Sequence, residues 1–558
     1  MTTTLQNLPI GVQDFEKLRR ENYLYVDKTA LVYRLATTGN CYFLSRPRRF
    51  GKSLLLSTLK AYFLGKKELF HGLAIESLES DWKEHPVLYL DLNSGEYRDE
   101  QSLRSRLNFV LRSWEDEYGV GDEETELPIR FEGVIRRAYE KTGRQVVILV
   151  DEYEKPLLEA IENSELQDKF RNILRAFYSV LKSMDACIRF ALLTGVTKFG
   201  HLSIFSSLNN LEDISLDRQY YDICGIDNES LHGVLRPYIE LFAEEKKMTV
   251  DEVYAEAERR YDGYHFAPDT PGMYNPFSVL NALKKRDFGS FWFSTGTPSY
   301  LVTMLKNHDY NLERLTTEEV TAGVLSAIDS DDPVPLFFQS GYLTIKGYDP
   351  EFCSYSLGFP NEEVREGFFR YLMPSYVPKE VSNSSFQIMN FVKELRSGRV
   401  DDFMTRLKSF LAESPYDIAH GQRGLLKTRF FKAHESSKPE FTVVNEDFED
   451  EVQRGNKQFL EGALENHFQN VLYILCNLCG LYTRAEYHTS QGRIDMTIET
   501  DNYVYIFEFK FDKSAELALQ QIKDNNYALP FQTSGKKIIC LGVNFSSKIR
   551  NIDNYLVE

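Results

Sequence analysis

The stretch RPRRFGKS, residues 46–53, lies between an apolar run at residues 41–44 and an apolar segment with helical periodicity. This order predicts a strand, a loop and a helix, with Gly-Lys-Ser at the start of the helix. In such a loop Lys52 would reach the β- and γ-phosphates of a nucleotide, Ser53 would ligate Mg²⁺, and N–H groups near Gly51 would bind the anion. The stretch therefore predicts a P-loop. The alternative is a basic strand-to-helix turn that binds no nucleotide.

The loop departs from the usual P-loop pattern at its start. Arg46 stands where the first glycine is usual, and Pro47 has no N–H to offer a phosphate. The guanidinium groups of Arg46, Arg48 and Arg49 could supply the missing donors.

A second segment supports the nucleotide site. The apolar run at residues 146–150 is typical of a strand covered on both faces, and it ends in Asp151 and Glu152. Carboxylates at the C-terminal end of a central parallel strand lie beside the nucleotide loop. Asp151 would hold Mg²⁺ through water, and Glu152 would polarise the attacking water. The alternative is an acidic strand end that is only solvated.

Two more strands are predicted at residues 85–91 and 188–195, with helical stretches between them, which indicates an α/β sheet. Thr194, at the end of the second of these strands, is placed to sense the γ-phosphate, and Lys198 follows it. Either could instead be a loop residue without that role.

These segments, with several others, resemble the AAA-ATPase-like family of bacterial proteins. The resemblance covers most of the chain and is carried by the text IGVQDFEKL, YLYVDKTALV, FLSRPRRFGKSLLLSTL, VDEYEKP, LLTGVTKFG, SIFSSLNNLEDIS, YDGYHF, YNPFSVLNAL and FSTGTPSYL. It implies that RPRRFGKS is the family's own form of the loop, and that Glu154 stands where the family has Asp. The implied cofactors are ATP and Mg²⁺. The predicted nucleotide-binding residues are Arg48, Arg49, Phe50, Gly51, Lys52, Ser53, Leu54, Asp151 and Thr194.

The C-terminal part contains a second group of polar residues. GRIDM, residues 492–496, and YVYIFEFK, residues 503–510, both alternate with the period of strands. Glu508 and Lys510 therefore share one face, and an adjacent strand could bring Asp495 beside them. Asp495 and Glu508 could hold Mg²⁺ or Mn²⁺, and Lys510 could orient or deprotonate a water for phosphodiester hydrolysis. The alternative for an isolated ExK is a solvated strand face.

This segment resembles the PD-(D/E)xK nuclease superfamily, which often follows the ATPase described above. The resemblance implies that a helix at residues 459–475 contributes Glu465 as a further metal-site carboxylate. It also implies that a helix at residues 515–527 places Gln521, a catalytic candidate, and Tyr527 against the site.

The expected fold class is α/β. It comprises an AAA-like P-loop NTPase core with a parallel sheet (1–213), a helical lid (214–285), a mainly helical middle region with a winged-helix-like arrangement as one option (286–440), and a restriction-endonuclease-like domain (441–558). Within the lid we expect Tyr264, His265 and Asn275 to be structural. Cys476 and Cys479 form a CxxC on a predicted helix without a second pair, which favours core packing over zinc.

Length and composition agree with several domains: the chain has 558 residues, of which 42% are hydrophobic and 13% aromatic. Seven cysteines and no signal peptide predict a cytoplasmic protein, and no apolar run is long enough for a membrane span. A net charge of −18 opposes binding of free duplex DNA, so contacts would use local basic patches or a partner.

The sequence thus predicts an ATPase coupled to a metal-dependent nuclease that acts on nucleic acid, with nucleotide state gating the second site. By analogy with similarly built ATPase-nucleases, the expected role is defence or DNA processing. Active oligomers are expected, with Arg171 and Arg175 as candidates for an arginine supplied to a neighbour. The alternative function is a nucleotide-switched scaffold with an inactive nuclease-like domain.

Overall fold

A computed structural model describes residues 5–558 except 162, 199–203, 206–207, 209, 294–300, 303, 306–309, 327–331, 377–380, 413–463, 481–483 and 488–494. For residues 381–387 and 484–487 only the backbone is described. The chain forms two compact units, and each is built from two segments. Residues 1–295 and 318–363 form the first unit, and residues 296–317 and 364–558 form the second. The four-part division expected from the sequence stays a prediction.

The first unit contains a parallel five-stranded sheet in the order β2-β3-β4-β1-β5. Its strands are β1 (Cys41–Ser45), β2 (Val87–Asp91), β3 (Val146–Asp151), β4 (Ile188–Gly195) and β5 (Glu212–Asp213). Every residue of β1 and β3 is buried, as their continuous apolar sequences predict. β4 lies between β1 and β3, so the ends of these three strands are neighbours at one edge of the sheet.

Helices cover this sheet, and their apolar faces build the main core of the unit. They are α1 (Phe15–Arg20), α2 (Thr29–Thr38), α3 (Lys52–Phe63), α4 (Glu100–Tyr118), α5 (Leu127–Thr142), α6 (Lys155–Glu159) and α7 (Ser164–Ser183), with 3₁₀ turns at Lys67–Phe70, Ala74–Ser77 and Asp185–Cys187. Side chains set two of the starts: Asp99 forms a capping box with Ser102 at α4, and Asn163 caps α7.

A second, smaller core in this unit is helical. The remaining helices of the unit are Asn228–His232, Arg236–Lys246, Val250–Tyr261, Pro276–Lys285, Ala322–Ser326 and Val334–Gln339. The helix Val250–Tyr261 begins after a capping box that Thr249 forms with Glu252.

The region expected to be mainly helical also contains a three-stranded antiparallel sheet in the order β6-β8-β7. Its strands are β6 (Glu319–Thr321), β7 (Thr344–Asp349) and β8 (Ser354–Gly358). β7 begins only at Thr344, because Gly341, with φ 89°, still belongs to the preceding turn.

The second unit contains a mixed sheet in the order β13-β12-β11-β10-β9. Its strands are β9 (Arg484–Tyr487), β10 (Met496–Glu499), β11 (Tyr503–Phe511), β12 (Lys537–Ser546) and β13 (Asn551–Val557). β11 and β12 are parallel, whereas the other neighbours are antiparallel. A parallel pair needs a crossover connection, and the helix Ala515–Asp524 provides it.

The other helices of the second unit lie before this sheet in the chain. They are Arg314–Thr317, Val381–Arg396, Val400–Ala412 and residues 464–479, while Glu362–Tyr376 carries the chain from the first unit into the second and a 3₁₀ turn follows at Leu529–Phe531. Asn470, on the helix 464–479, is held by the segment before residue 317. Its amide donates to Tyr310 O at 2.8 Å, and its carbonyl accepts from Leu312 N–H at 2.8 Å.

Several expected bounds differ in the structure. The helix expected at residues 459–475 is described over 464–479, and its expected start lies outside the described residues, as do residues 492–494 of the GRIDM segment. The crossover helix ends at Asp524, not at Tyr527, because Asn526 has φ 50° and turns the chain into the 3₁₀ turn. In the part of the chain that the structure describes, no helix combines the length and the apolarity needed to cross a membrane.

Candidate active sites

The loop before α3 brings Lys52 to the centre of the first candidate site. Gly51 is the N-cap of α3 with φ 97°, a conformation that side chains disfavour, and Lys52 is the first helical residue. The Lys52 side chain is buried, and its ammonium donates to Arg46 O at 3.0 Å and Pro47 O at 3.4 Å. It also lies 3.6 Å from Glu152 Oε1. Lys52 therefore spans the loop and reaches the end of β3.

Asp151 is the residue on which the strand ends converge. Ser53 Oγ donates to Asp151 Oδ2 at 2.6 Å, and Thr194 Oγ1 donates to Asp151 Oδ1 at 2.8 Å. Asp151 and Thr194 are buried, at 3% and 0% exposure. The side chains from α3, β3 and β4 therefore form one connected group, as the order of the strands predicts.

Glu152 follows in a left-handed backbone conformation, with φ 55°. Such a conformation is uncommon for a residue other than glycine and costs about 1–3 kcal/mol, so surrounding contacts must hold it in place. It directs the Glu152 carboxylate toward Lys52, with which Glu152 forms an ion pair. Strain of this kind is frequent at functional sites.

The three arginines of the loop have different surroundings. The structure does not support Arg46 as a phosphate donor, because its guanidinium is 1% exposed and donates to the carbonyls of Ser45, Ser215 and Tyr220. It also lies 4.1 Å from the ring centre of Phe266, and burial lowers the pKa of Arg46 to about 10. Arg46 thus stabilises the loop through hydrogen bonds made within the protein interior.

Arg48 and Arg49 lie on the outer side of the loop and are both exposed. Arg49 stacks on Phe277 at 3.8 Å, and its φ is 67°. Trp292 Nε1 donates to Arg48 O at 3.4 Å. Their proposed contacts with phosphate stay predictions.

Sequence reasoning missed a cavity of about 100 Å³ beside Gly51. Its walls are almost entirely apolar and come from the segments before α2, the start of α3 and residues 223–226, together with Pro276 and Leu280. Phe50 and Leu54, which the sequence did single out, line it too. Only the fold brings these distant segments together, so no local pattern could have identified the cavity.

Three other candidates in the first unit have structural partners. Lys198 is 6% exposed and lies 2.6 Å from Asp213 Oδ2, at the end of β5. Arg171 is half-buried on α7 and forms an ion pair with Asp168, whereas Arg175 is exposed and donates to Asn172 at 3.0 Å. Arg175 is therefore the more accessible of the two arginines.

The lid residues are structural in part, as expected. Asn275 Oδ1 caps the helix Pro276–Lys285, and His265 Nδ1 lies 2.8 Å from Thr270 O. The Tyr264 ring packs edge-on against Phe50 at 4.8 Å, while its buried hydroxyl has no hydrogen-bond partner among the described residues.

The second candidate site forms where β10 meets β11. Met496 pairs with Phe507 in the antiparallel ladder, so Asp495 lies opposite Glu508. Asp495 Oδ2 accepts a hydrogen bond from Phe509 N–H at 2.8 Å, which fixes it beside β11. The pairing of β10 with β11 thus brings Asp495 beside Glu508, as we expected of an adjacent strand.

Lys510 is held between two acceptors at this site. Its ammonium donates to Glu508 Oε1 at 2.8 Å and to Gln521 Oε1 at 2.7 Å. The crossover helix therefore delivers Gln521 to the site, as predicted. Tyr527 packs with Val504, Ile506 and Ile522, on the same face of β11 as Lys510 and nearer the start of the strand, so its place against the site stays a prediction.

The electrostatics of the two carboxylates favour a bound cation. Glu508 is 1% exposed, and its Oε2 has no hydrogen-bond partner among the described residues. Burial, followed by the negative charge of Glu508, raises the pKa of Asp495 to about 7. Burial also raises the pKa of Glu508, against the opposing effect of its hydrogen bond from Lys510. The two carboxylates therefore resist ionisation, and one of them has an oxygen without a described partner. A divalent cation would stabilise their charged forms and bind that oxygen, so the pair fits such an ion.

Glu465 lies at the start of the helix 464–479 and is exposed. Among the described residues, no three His, Cys, Asp or Glu side chains are grouped to hold a metal ion. The participation of Glu465 in the metal site stays a prediction. On the same helix, Cys476 and Cys479 are both buried and form no disulfide, in line with core packing.

Comparisons with known proteins match the two parts of the chain in which these candidate sites lie. A family model described as "Predicted AAA-ATPase" matches residues 9–205, and a model of the PD-(D/E)XK nuclease superfamily matches residues 463–555. The chain is also 36% identical over 564 residues to an "Uncharacterized protein in vnfD 5'region" of Azotobacter chroococcum mcd 1, with 99% of both chains covered. The chain belongs to the family of predicted AAA-ATPases that carry a C-terminal domain of the PD-(D/E)XK nuclease superfamily.

Proposed function

We propose that the first unit binds and hydrolyses ATP with Mg²⁺. The observation that carries this proposal is the joining of Ser53 and Thr194 to the two oxygens of Asp151, next to Lys52. These are the groups that bind the metal, sense the terminal phosphate and neutralise charge in P-loop enzymes.

Each residue has a proposed role in this reaction. Lys52 exchanges its loop carbonyl partners for the β- and γ-phosphates, and the N–H groups at Gly51 bind the same anion. Ser53 and Asp151 hold Mg²⁺, which neutralises the charge of the phosphates when it is bound. Glu152 accepts a hydrogen bond from the attacking water and orients it.

The apolar cavity beside Gly51 is the proposed site of the adenine base. A planar, largely apolar ring suits walls such as Phe50, Leu54 and Leu280, and the cavity adjoins the loop that would hold the phosphates. ATP would therefore extend from the cavity to the strand ends.

For the second unit we propose metal-dependent hydrolysis of phosphodiester bonds in nucleic acid. The observation that carries it is the unpartnered, buried Oε2 of Glu508 opposite Asp495. These two carboxylates would hold Mg²⁺ or Mn²⁺, which supplies Lewis-acid activation when bound. Lys510 would donate to or orient the attacking water, and Gln521 would hold the lysine in place.

One set of assays tests both proposals. The purified chain is incubated with Mn²⁺ or Mg²⁺ and single-stranded or duplex DNA or RNA, with and without ATP, while phosphate release is followed in parallel. We expect ATP hydrolysis and metal-dependent cleavage that weakens steeply with salt, because binding would depend on local basic patches whose contacts with phosphates release counterions. The net charge of −18 should keep cleavage of free duplex DNA weak. ATP binding without cleavage of any substrate would favour the nucleotide-switched scaffold with an inactive nuclease-like domain.

A further inference from the structure

Glu154 lies two residues after Glu152 and is completely buried. Its Oε1 accepts hydrogen bonds from Val196 N–H at 2.6 Å and Thr197 N–H at 2.8 Å. These two donors belong to the turn that follows β4. Glu154 therefore fixes the turn at the end of one strand to the turn at the end of the neighbouring strand.

The same turn is held from its other side by the start of the P-loop. Arg46 N–H donates to Gly195 O at 3.1 Å, and Ser45 Oγ donates to Val196 O at 2.8 Å. The turn is thus fixed between the P-loop and Glu154. Thr194, at the end of β4 before this turn, donates to Asp151 Oδ1.

Glu154 also helps to hold Glu152 in its left-handed conformation. Tyr153, between the two glutamates, donates its N–H to Thr194 O at 3.1 Å, so residues 153 and 154 are both bound to the end of β4. A strained residue persists only where its neighbours determine its backbone, and these bonds do so for Glu152.

The packing around Glu154 leaves no room for adjustment. A methyl group at Gly195 would overlap Glu154 Oε2, and it would lie 2.8 Å from the Tyr153 ring. Glu154 Oε2 itself has no hydrogen-bond partner among the described residues. Burial, followed by the charge of Glu152, raises the pKa of Glu154 to about 8, so glutamine is its closest neutral mimic.

We propose that Glu154 is a positioning residue for ATP hydrolysis, which fixes Thr194 and Glu152 relative to each other at the terminal phosphate. This inference rests on the proposed ATPase function. Lys52 and Ser53 belong to α3 and form no described hydrogen bond or ion pair with Glu154, so we expect Glu154 to matter less for ADP affinity than for turnover. Displacement of reacting groups by about 1 Å can cost about a hundredfold in rate.

The test compares Glu154→Ala, Glu154→Gln and Gly195→Ala with the parent and with Glu165→Gln, whose side chain is 81% exposed on α7. ADP affinity is measured by calorimetry, and kcat and KM are measured with Mg-ATP. For Glu154→Ala and Gly195→Ala we expect kcat to fall about tenfold to a hundredfold, with the Kd for ADP within about threefold of the parent. Glu154→Gln keeps the Oε1 acceptor and should recover kcat to within about threefold of the parent.

The outcomes separate the inference from the function on which it rests. A parent protein that neither binds ADP nor hydrolyses ATP would overturn both. Parental kcat in Glu154→Ala, or an equal loss of kcat and ADP affinity in it, would overturn the positioning role alone. If Glu154→Ala does not fold, as judged by circular dichroism, Gly195→Ala decides: parental kcat in that variant contradicts the proposal.

Discussion

Replacing Asp495 by Asn should stabilise the metal-free protein at pH 8 and abolish its stabilisation by Mg²⁺ or Mn²⁺. In the folded protein the pKa of Asp495 is raised from 3.8 to about 7, by burial and then by Glu508. The folded state therefore holds this proton more tightly than the unfolded chain does. Stability is lost as the pH rises from about 4 to about 7, and the penalty is complete above that range.

The magnitude follows from this difference in pKa. About three pKa units correspond to about 4 kcal/mol. Because the side chain is only partly buried and water can relax around it, we expect about 1–3 kcal/mol, or roughly 2–12 °C in Tm. Asn can still accept the hydrogen bond from Phe509 N–H, so the gain is not offset by a lost partner.

The assay is thermal unfolding followed by circular dichroism at pH 5 and pH 8, with and without Mg²⁺ or Mn²⁺. Trp82, Trp114 and Trp292 all lie in the first unit, so tryptophan emission gives a parallel signal that Asp495→Asn should leave unchanged. Asp501→Asn, at an exposed position before β11, is the matched control.

For the parent, a cation at about 100 times its Kd should add about 2.7 kcal/mol. The reasoning is refuted if Asp495→Asn is no more stable than the parent at pH 8, or if the cation stabilises both proteins equally.

Four further predictions concern individual side chains. Lys52→Ala should abolish ATP binding, measured by calorimetry, because it removes the buried ammonium at the loop; equal ATP affinity in this variant and the parent would contradict the prediction. Glu152→Gln should still bind ATP but release no phosphate. Lys510→Ala should keep Mn²⁺ binding, measured by calorimetry, and reduce cleavage about a hundredfold or more, since the lysine acts on the water; loss of the metal itself would show a different role. Arg175→Ala should lower ATP turnover in oligomers without changing ADP affinity, and light scattering that finds a fully active monomer would remove the need for this arginine.

The sequence predicted those parts of the sites in which local spacing determines geometry. A strand fixes the face of Glu508 and Lys510 by its period of two, and Phe507 and Phe509 accordingly stack on the other face, with ring centres 6.0 Å apart. The apolar runs likewise predicted the buried strands β1 and β3, because strands covered on both faces need an unbroken apolar sequence.

What the sequence did not reveal depends on contacts between distant segments. Arg46 looked like a phosphate donor because its neighbours are basic, yet its partners, Ser215 and Tyr220, lie far along the chain. The cavity beside Gly51 is assembled in the same way. The resemblance showed only that Glu154 stands where the family has Asp, and the hydrogen bonds of Glu154 to the turn after β4 are visible only in the fold.

The interleaving of the two units along the chain has a consequence for synthesis on the ribosome. The first unit cannot complete its fold until residue 363 has been made, because residues 318–363 belong to it. The first segment of the second unit, residues 296–317, is made before the rest of that unit, residues 364–558. Leu312 contacts Asn470, which follows 158 residues later in the chain, so the nascent segment lacks this contact until those residues have been made. A C-terminal fragment that begins at residue 441 would lack Tyr310 and Leu312, so the side-chain amide of Asn470 would lose both hydrogen-bond partners. We therefore expect this fragment to aggregate under conditions in which the whole chain folds.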